Sequence, residues 1–170
     1  NTLLNDFYVT SGSDGYIVQY PFSVGICNSV PAVRIGQSGS THIYQVNDAA
    51  ISGVSAFING VSQTVTDGGL YAVGKFGLAV NSTAVLADFM CTGRTTLEDA
   101  LSAIATNVGA GGADLFTNDG VSDGTIVAMH WPATSGVTGL QAVQDLASVC
   151  HGYLIGNGSG FALKQLRSVL

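Results

Sequence analysis

The sequence predicts an α+β fold, in which an antiparallel β-rich subdomain at residues 1–92 precedes a small two-helix α+β subdomain at residues 93–170. Three observations lead to this prediction. Short alternating runs punctuated by Gly, Asn and Asp fill the chain up to residue 91, an Asn-Gly pair separates two of those runs, and two stretches of helical periodicity follow, each succeeded by a strand pattern. A chain of 170 residues is long enough for one sizeable core, or for two small subdomains that share an interface.

The β-rich pattern is clearest between residues 54 and 91. Asn59 and Gly60 join two alternating runs, and Asn-Gly is a strong hairpin signal because both residues tolerate positive φ. Earlier in the chain, residues 33–35 and 42–46 are interpreted as short strands separated by a Gly- and Ser-rich turn. We therefore expect an antiparallel meander whose faces are formed by Val54, Ala56, Ile58, Val85, Ala87 and Phe89.

The first helix is predicted at residues 95–108. Thr95 and Glu98 have the spacing of a capping box, in which the hydroxyl and the carboxylate each accept from a backbone amide at the helix start. One apolar stripe runs along this helix and comprises Leu97, Ala100, Leu101, Ile104, Ala105 and Val108. A Gly- and Asp-rich loop follows, and then an apolar strand is predicted at residues 125–131, ending before Pro132.

The second helix is predicted at residues 139–150 and a β-hairpin at residues 153–169. Thr138 and Gln141 repeat the capping-box pattern. We expect Gly152 to be the left-handed residue that closes the helix, since a Cβ is unfavourable in that conformation. Residues 157–160 tolerate positive φ and form the turn between the two strands of the hairpin.

Charge is sparse in this chain. Charged residues make up 9% of it, against about 25% in typical soluble domains. The net charge of −6 and the five cationic side chains argue against nucleic-acid binding, and no apolar run is long enough to predict a membrane span. A surface with few charges favours association, so we expect a homo-oligomer; a secreted protein with a hydroxyl-rich surface is the alternative.

The sequence predicts no catalytic residues and no cofactor. His42, His130 and His151 are scattered, and no serine lies in a Gly-x-Ser-x-Gly elbow. The closely spaced glycines of residues 108–114 follow a helix instead of a strand, so they do not form a dinucleotide fingerprint. A hydrolase that uses one of the histidines remains an alternative, because a site assembled in space leaves no local pattern.

Asp114, Asp119 and Asp123 are the candidate metal ligands. Together with Asn118 they lie in a Gly-rich loop, and oxygen ligands so spaced could hold a calcium ion. The EF-hand pattern needs a Glu at its last position, and none follows here. Asn-Asp-Gly and Ser-Asp-Gly are also common turn sequences, so the turn interpretation is favoured.

The three cysteines, Cys27, Cys91 and Cys150, are far apart and odd in number, which matches neither a disulfide framework nor a metal spacing. Cys91 ends a strand pattern and Cys150 lies on a helix stripe, so buried free thiols are favoured. One disulfide with a thiol left over is the alternative.

A second functional hypothesis is a secreted or surface β-rich module that recognises a glycan or a receptor. Such a module would present an exposed aromatic ring, and Trp131, beside Pro132, is the best candidate. Most other aromatics fall at strand positions and are predicted to lie in the core.

Two stretches resemble proteins of tailed bacteriophages. The segment TGLQAVQDLASVCHGYLIGNGSGFALKQLR is similar to one in tail-tip, or baseplate-hub, minor tail proteins, in which a helix of the form LDxLAxxxG precedes a Gly-aromatic-apolar strand, a turn and a strand ending in L-x-x-L/R. The stretch AFINGVSQTVTDGGLYAVGKFGLAVNSTAVLADF resembles a module of phage structural proteins, in which a V-x-V-N-G strand leads to a meander ending in V-x-A-D-F/Y. The resemblances cover residues 54–91 and 95–169.

The resemblance implies a hub-type α+β fold and a structural role without catalysis. It also implies that the chain is located in the virion tail, that its partners are other tail or baseplate proteins, and that copies form a ring about the tail axis. For the alternative binding module, the implied location is extracellular.

Overall fold

The computed structural model describes residues 8–10, 17–109, 115–121, 128–132, 136–156 and 158–165. The chain has an α+β fold, with sheets in the N-terminal part and helices later, as predicted. Neither of the described helices combines the length and the apolar character needed to cross a membrane.

Fifteen strands, two α-helices and one short 3₁₀ helix lie in the described residues. In chain order they are β1 (Tyr8–Thr10), β2 (Ile17–Gln19), β3 (Phe22–Val24), β4 (Ile26–Pro31), β5 (Val33–Ser38), β6 (Thr41–Gln45), β7 (Ile51–Ile58), β8 (Val61–Gln63), β9 (Val65–Thr66), the 3₁₀ helix Leu70–Val73, β10 (Lys75–Leu78), β11 (Val85–Cys91), α1 (Leu97–Asn107), β12 (Phe116–Asp119), β13 (Met129–Trp131), α2 (Gly139–Val149), β14 (Gly152–Gly156) and β15 (Phe161–Gln165).

Two four-stranded antiparallel sheets share the first hydrophobic core. Their strand orders are β5-β6-β10-β9 and β4-β11-β7-β8. Tyr44 and Phe76 of the first sheet stack with their ring centroids 5.8 Å apart and belong to the same buried cluster as Ala56, Ala87 and Phe89 of the second. Because inward-facing side chains of both sheets fill one core, this part of the molecule is a small β-sandwich.

The Asn-Gly hairpin is confirmed. Asn59 and Gly60 have φ of 51° and 79° and connect β7 to β8, with Ile58 paired to Val61. Positive φ at both central residues is the conformation of a type I′ turn, whose twist matches that of the flanking strands. The predicted inner faces also hold, because Ala56, Val85, Ala87 and Phe89 are buried and Val54 and Ile58 pack against them.

Helices α1 and α2 build the second core together with strands from both ends of the chain. Sheet β12-β15-β14 contributes Phe116 and Leu163, with β12 parallel to β15 and β14 antiparallel to it. The two-stranded sheet β13-β3 contributes Phe22, Val24 and Trp131. Strand β3 therefore packs with the helices although it lies far upstream of them in the sequence.

The start of α1 differs by one residue from the expected one. Thr96, not Thr95, is the N-cap: its side chain accepts from Asp99 N at 3.1 Å, while the Asp99 carboxylate accepts from Thr96 N at 3.4 Å. Asp99 therefore takes the place predicted for Glu98. Two adjacent threonines and two adjacent acids give two frames of the same pattern, one residue apart, and the structure uses the second.

The end of α2 also differs from the prediction. Thr138 caps the helix by accepting from Gln141 N at 3.2 Å, but the Gln141 side chain donates to Asp145 at 2.9 Å instead of accepting at the N-cap. The left-handed residue is His151, with φ of 52°, and Gly152 is the first residue of β14. Glycine is required there by a close approach, since a Cβ would lie 2.7 Å from Lys164 O.

Two predicted strands are described only in part. In the predicted strand 125–131 the structure describes β13 from Met129 onward, and residues 125–127 lie outside the described residues. In the predicted hairpin 153–169, Asn157 and residues 166–169 lie outside them, and strands β14 and β15 pair in antiparallel register from Gly152 opposite Gln165 to Gly156 opposite Phe161.

Replacing Gly152 by Ala should lower the free energy of unfolding by about 1–3 kcal/mol, because the new methyl group would force the backbone of β15 to move. Gly156, at the other end of the same strand, is the matched control. An added Cβ there meets none of the described atoms within 4 Å, and we expect Gly156→Ala to change stability by less than about 0.5 kcal/mol. Urea denaturation measures both values, and equal effects would contradict the role given to the close approach.

Candidate functional site

A groove of about 610 Å³ lies at the junction between the two cores. One wall is a face of α1, where lining residues recur at spacings of three and four: Asp99, Ser102, Ala103, Thr106 and Asn107. The facing wall comes from three connecting segments, which contribute Tyr20 before β3, Asp48 after β6, and Thr92, Gly93 and Arg94 after β11. A concave site lined by apolar and polar groups is the usual form of a small-molecule site.

A largely buried ion pair between Arg94 and Asp48 lines this groove. Their side chains are 12% and 16% exposed, and two guanidinium nitrogens face the two carboxylate oxygens, with Nη2 donating to Oδ2 at 3.0 Å. Asn107 of α1 donates to the same Oδ2 at 3.1 Å. The guanidinium also lies 4.4 Å from the ring centroid of Phe22, so it is held by charge, hydrogen bonds and a cation–π contact.

Asn47 and Ser23 extend this polar network into the protein, and both are fully buried. Asn47 Oδ1 accepts from Ser23 N at 3.0 Å and from Arg94 at 3.5 Å, and Asn47 Nδ2 donates to Ala49 O at 3.2 Å. Arg94 donates in addition to Ser23 O at 3.4 Å. These bonds connect β3 of the helical core to the loop after β6 of the sandwich, so the network joins the two cores.

Ser23 and His130 form a pair that no sequence motif indicates. They lie opposite each other in β3 and β13, with Ser23 Oγ 2.8 Å from His130 Nδ1 and 3.3 Å from Val46 O. If Nδ1 carries the proton, His130 donates to the Ser23 hydroxyl, which then donates to Val46 O, so that all these groups are satisfied. Because the Ser23 hydroxyl is buried, this geometry suits a link between strands better than an exposed nucleophile.

The other two histidines, His42 and His151, lie on other elements of the fold. His42 lies in β6, and its buried Nδ1 has no hydrogen-bond partner among the described residues. His151 is exposed at the end of α2, where its left-handed conformation reverses the chain into β14. The structure therefore does not bring the three predicted histidines together.

Of the three candidate calcium ligands, the structure describes one, Asp119. Asp114 and Asp123 lie outside the described residues. Asp119 is exposed and forms an ion pair with Lys164 at 2.7 Å. Asn118 closes a turn by accepting from Val121 N at 3.0 Å, and Gly120 has φ of 89°, which agrees with the turn interpretation for this stretch. Among the described residues, no three His, Cys, Asp or Glu side chains are grouped so that they could hold a metal ion.

The three cysteines are buried free thiols, as the favoured prediction states. Cys91 hydrogen-bonds with Cys27, and this bond together with burial raises the pKa of the Cys91 thiol. Burial also raises the pKa of Cys150. Since the thiolate is the reactive form, the raised pKa values of Cys91 and Cys150 disfavour their reactive state at neutral pH.

The prediction of an exposed ring at Trp131 is wrong. Trp131 is 4% exposed, its ring centroid lies 5.7 Å from that of Phe22, and its indole Nε1 donates to Asp145 at 3.0 Å. Burial became possible because α2 supplies the acceptor that the indole N–H needs. The aromatic residue of the groove is instead Tyr20, which sequence reasoning missed.

The chain matches no protein-family model, no curated protein and no solved structure.

The groove was not predicted because its residues come from four separate parts of the sequence. One signal was available: the lining face of α1 carries small polar residues, where an ordinary solvent-facing stripe would carry long charged ones. Arg94 offered a second signal, since it is one of only five cationic residues in the chain.

Replacing Arg94 by Met should lower the free energy of unfolding by about 2–4 kcal/mol, because the largely buried Asp48 carboxylate would lose its counter-ion. The control is Arg34→Met, which removes an exposed arginine and should cost less than about 0.5 kcal/mol. Urea denaturation compares the two variants. A loss below about 1 kcal/mol for Arg94→Met would show that the pair is not a major link between the cores.

His130 should make stability depend on pH. Burial lowers its pKa from 6.5 to about 4, so the unfolded chain binds a proton that the folded protein does not hold between these values. The contribution of neutral His130 is complete above pH 6.5 and is lost as pH falls towards 4. We expect a loss on the order of 1–2 kcal/mol, allowing for partial exposure.

The control for this pH effect is His130→Gln, which keeps a hydrogen-bonding side chain but cannot titrate. Denaturant unfolding of both proteins at several pH values should give a steeper fall below pH 6.5 for the histidine form. Parallel curves would mean that His130 ionises as freely in the folded protein as in the unfolded one.

Proposed function

We propose that this chain is a structural component of a phage tail tip or baseplate and that it acts through subunit association. The observation that carries the proposal is an apolar outer face on sheet β4-β11-β7-β8. Ile26, Leu86 and Met90 are 43%, 40% and 40% exposed on this face. Exposed Pro31 and half-buried Phe57 lie beside Leu86.

The register of the sheet arranges these side chains in two rows. Leu86 lies between Pro31 of β4 and Phe57 of β7, whereas Met90 lies between Ile26 of β4 and Ser52 of β7, and Asp88 and Ser55 separate the two rows. Clusters of exposed apolar side chains commonly mark protein interfaces. The one carboxylate on β11, Asp88, accepts from Ser29 N at 2.8 Å, which occupies part of its hydrogen-bonding capacity.

Two further points support the proposal. Charged residues make up only 9% of the chain, and depletion of charge is typical of the centres of protein interfaces. The resemblance to tail-tip proteins lies in the second helix and its hairpin, which are α2, β14 and β15. The resemblance to phage structural proteins lies in the meander, which is β7 to β11. The proposed occupant of the outer face is a second copy of the chain, in a ring located in the virion tail next to other tail proteins.

A second candidate function is a secreted or surface binding module, and the groove at the junction favours it. A cavity of about 610 Å³ is within the usual range for small-molecule sites. This candidate predicts a stable monomer, whereas the first predicts an oligomer.

Replacing both Leu86 and Met90 by Lys should weaken self-association by at least about tenfold, because two charges would enter the centre of the interface. Val149 is the matched control: it is 47% exposed on α2, away from the outer face, and Val149→Lys should leave association unchanged. Multi-angle light scattering over a concentration series measures the mass, and negative-stain microscopy identifies a ring. A wild-type protein that stays monomeric at the highest attainable concentration would overturn the assembly proposal.

A further inference from the structure

We propose that the junction groove is a binding site for a neutral saccharide of one or two rings. This inference rests on the second candidate function and names its ligand class, and it is compatible with an assembled tail protein. It is carried by the unpaired polar groups of the groove, by the state of its charges and by its aromatic ring.

The groove presents hydroxyl groups that the described part of the chain leaves without a hydrogen bond. Tyr20, Thr92 and Ser102 line it, and their side-chain hydroxyls form no hydrogen bond with any residue that the structure describes. Asp99 also lines it, and its second carboxylate oxygen remains available after Oδ2 accepts from Thr96 N. Hydroxyl donors and acceptors beside a carboxylate suit a ligand that itself carries several hydroxyl groups, each of which both donates and accepts.

The charges of the groove disfavour an anion. Arg94 is the cation among its lining residues, and its guanidinium is committed to Asp48, Ser23 O and Asn47. Lys75 is a second cation beside the groove, and its Nζ lies over the ring of Tyr20. An anion would have to compete with Asp48 for this guanidinium and would also meet the Asp99 carboxylate. A phosphate or an acidic sugar is therefore a poorer ligand than a neutral one.

Tyr20 is the aromatic residue among those that line the groove. Its ring is half-buried, and Lys75 Nζ lies 5.8 Å from the ring centroid. The ring face combines an apolar surface with a hydroxyl at its edge, which matches the C–H face and the hydroxyl rim of a pyranose. Burial raises the pKa of Tyr20, so its hydroxyl remains a donor at neutral pH.

Hydrogen bonds between the two walls of the groove hold them in place before any ligand binds. Arg94, Asp48 and Asn107 hold each other by hydrogen bonds, and Asn107 belongs to the same helix as Ser102 and Asp99. A wall with few free rotamers reduces the entropy lost on binding, which matters for a ligand as weakly bound as a sugar.

Saturation-transfer difference NMR tests the inference, because it detects weak ligands whatever the size of the protein assembly. The probes are glucose, galactose, N-acetylglucosamine and maltose, each at about 10 mM, with inorganic phosphate and arginine methyl ester as competitors of other chemical classes. We expect saturable transfer to the ring protons of at least one sugar, and at most weak displacement of that sugar by either competitor.

Two variants locate the binding. Ser102→Leu fills the groove from an exposed position of α1, and Gln144→Leu makes the same kind of change at an exposed position of α2. Ser102→Leu should reduce the transfer at least about fivefold and Gln144→Leu should leave it unchanged. Tyr20→Phe, which removes one hydroxyl, should weaken binding measurably while leaving the unfolding transition in place.

Three results would overturn the inference, and they differ in what they say of the second candidate function. Transfer that is equal in the Ser102 and Gln144 variants would place any sugar elsewhere. Stronger binding of phosphate or arginine methyl ester, lost in Ser102→Leu, would keep the groove as a binding site but assign it to another ligand class. Absence of transfer to all four sugars, without binding of either competitor, would remove both the inference and the second candidate function, while light scattering would still decide assembly.

Discussion

The buried ion pair between Arg94 and Asp48 is the interaction on which the rest of the structure depends. The chain crosses between its two cores at Gly25, after β3, and again after β11, and Gly25 bonds to both sides of that second crossing, through Arg94 O at 2.7 Å and Cys91 N at 2.9 Å. Removing two charges from water is costly, and the pair is tolerable only because neighbouring groups complete its hydrogen bonds. Asn107 does this from α1 and Asn47 from the sandwich, so the groups that satisfy the pair are also the ones that connect the cores.

The same constraint creates the groove. Since Asp48 and Arg94 must both reach the junction, the loop after β6 and the segment after β11 stand next to α1 without closing over it. A wholly apolar junction could close by hydrophobic contact alone, whereas a paired charge network keeps its polar groups in a fixed geometry and leaves an accessible concave surface beside them. The polar network that joins the two cores therefore also provides a preorganised polar surface in the groove.

The local elements could be predicted from the sequence, and the tertiary relations could not. Asn59-Gly60 specifies its own turn, and the stripe of α1 needs only neighbouring residues, so both predictions are confirmed. Trp131 was the best candidate for an exposed ring because it stands beside Pro132; its burial is accompanied by a hydrogen bond to Asp145 of α2, which no local pattern connects to it. His151 adopts the left-handed conformation in place of Gly152 for a similar reason: the contact that reserves position 152 for glycine comes from the backbone of β15.

The distribution of charge bears on the choice between assembly and a water-covered exterior. A uniformly hydroxyl-rich surface would place Ser or Thr at the outward positions of every strand, and β7 does so at Ser55. Strand β11, in the middle of the same sheet, instead carries Leu86 and Met90 outward, each beside an apolar residue of β4. The ion pair of Lys164 and Asp119 shows that the chain places surface charges elsewhere, on the sheet beside the helices. Apart from Asp88, charge is therefore absent from one particular face instead of being evenly dilute, and this distribution supports the proposal that another subunit covers the face.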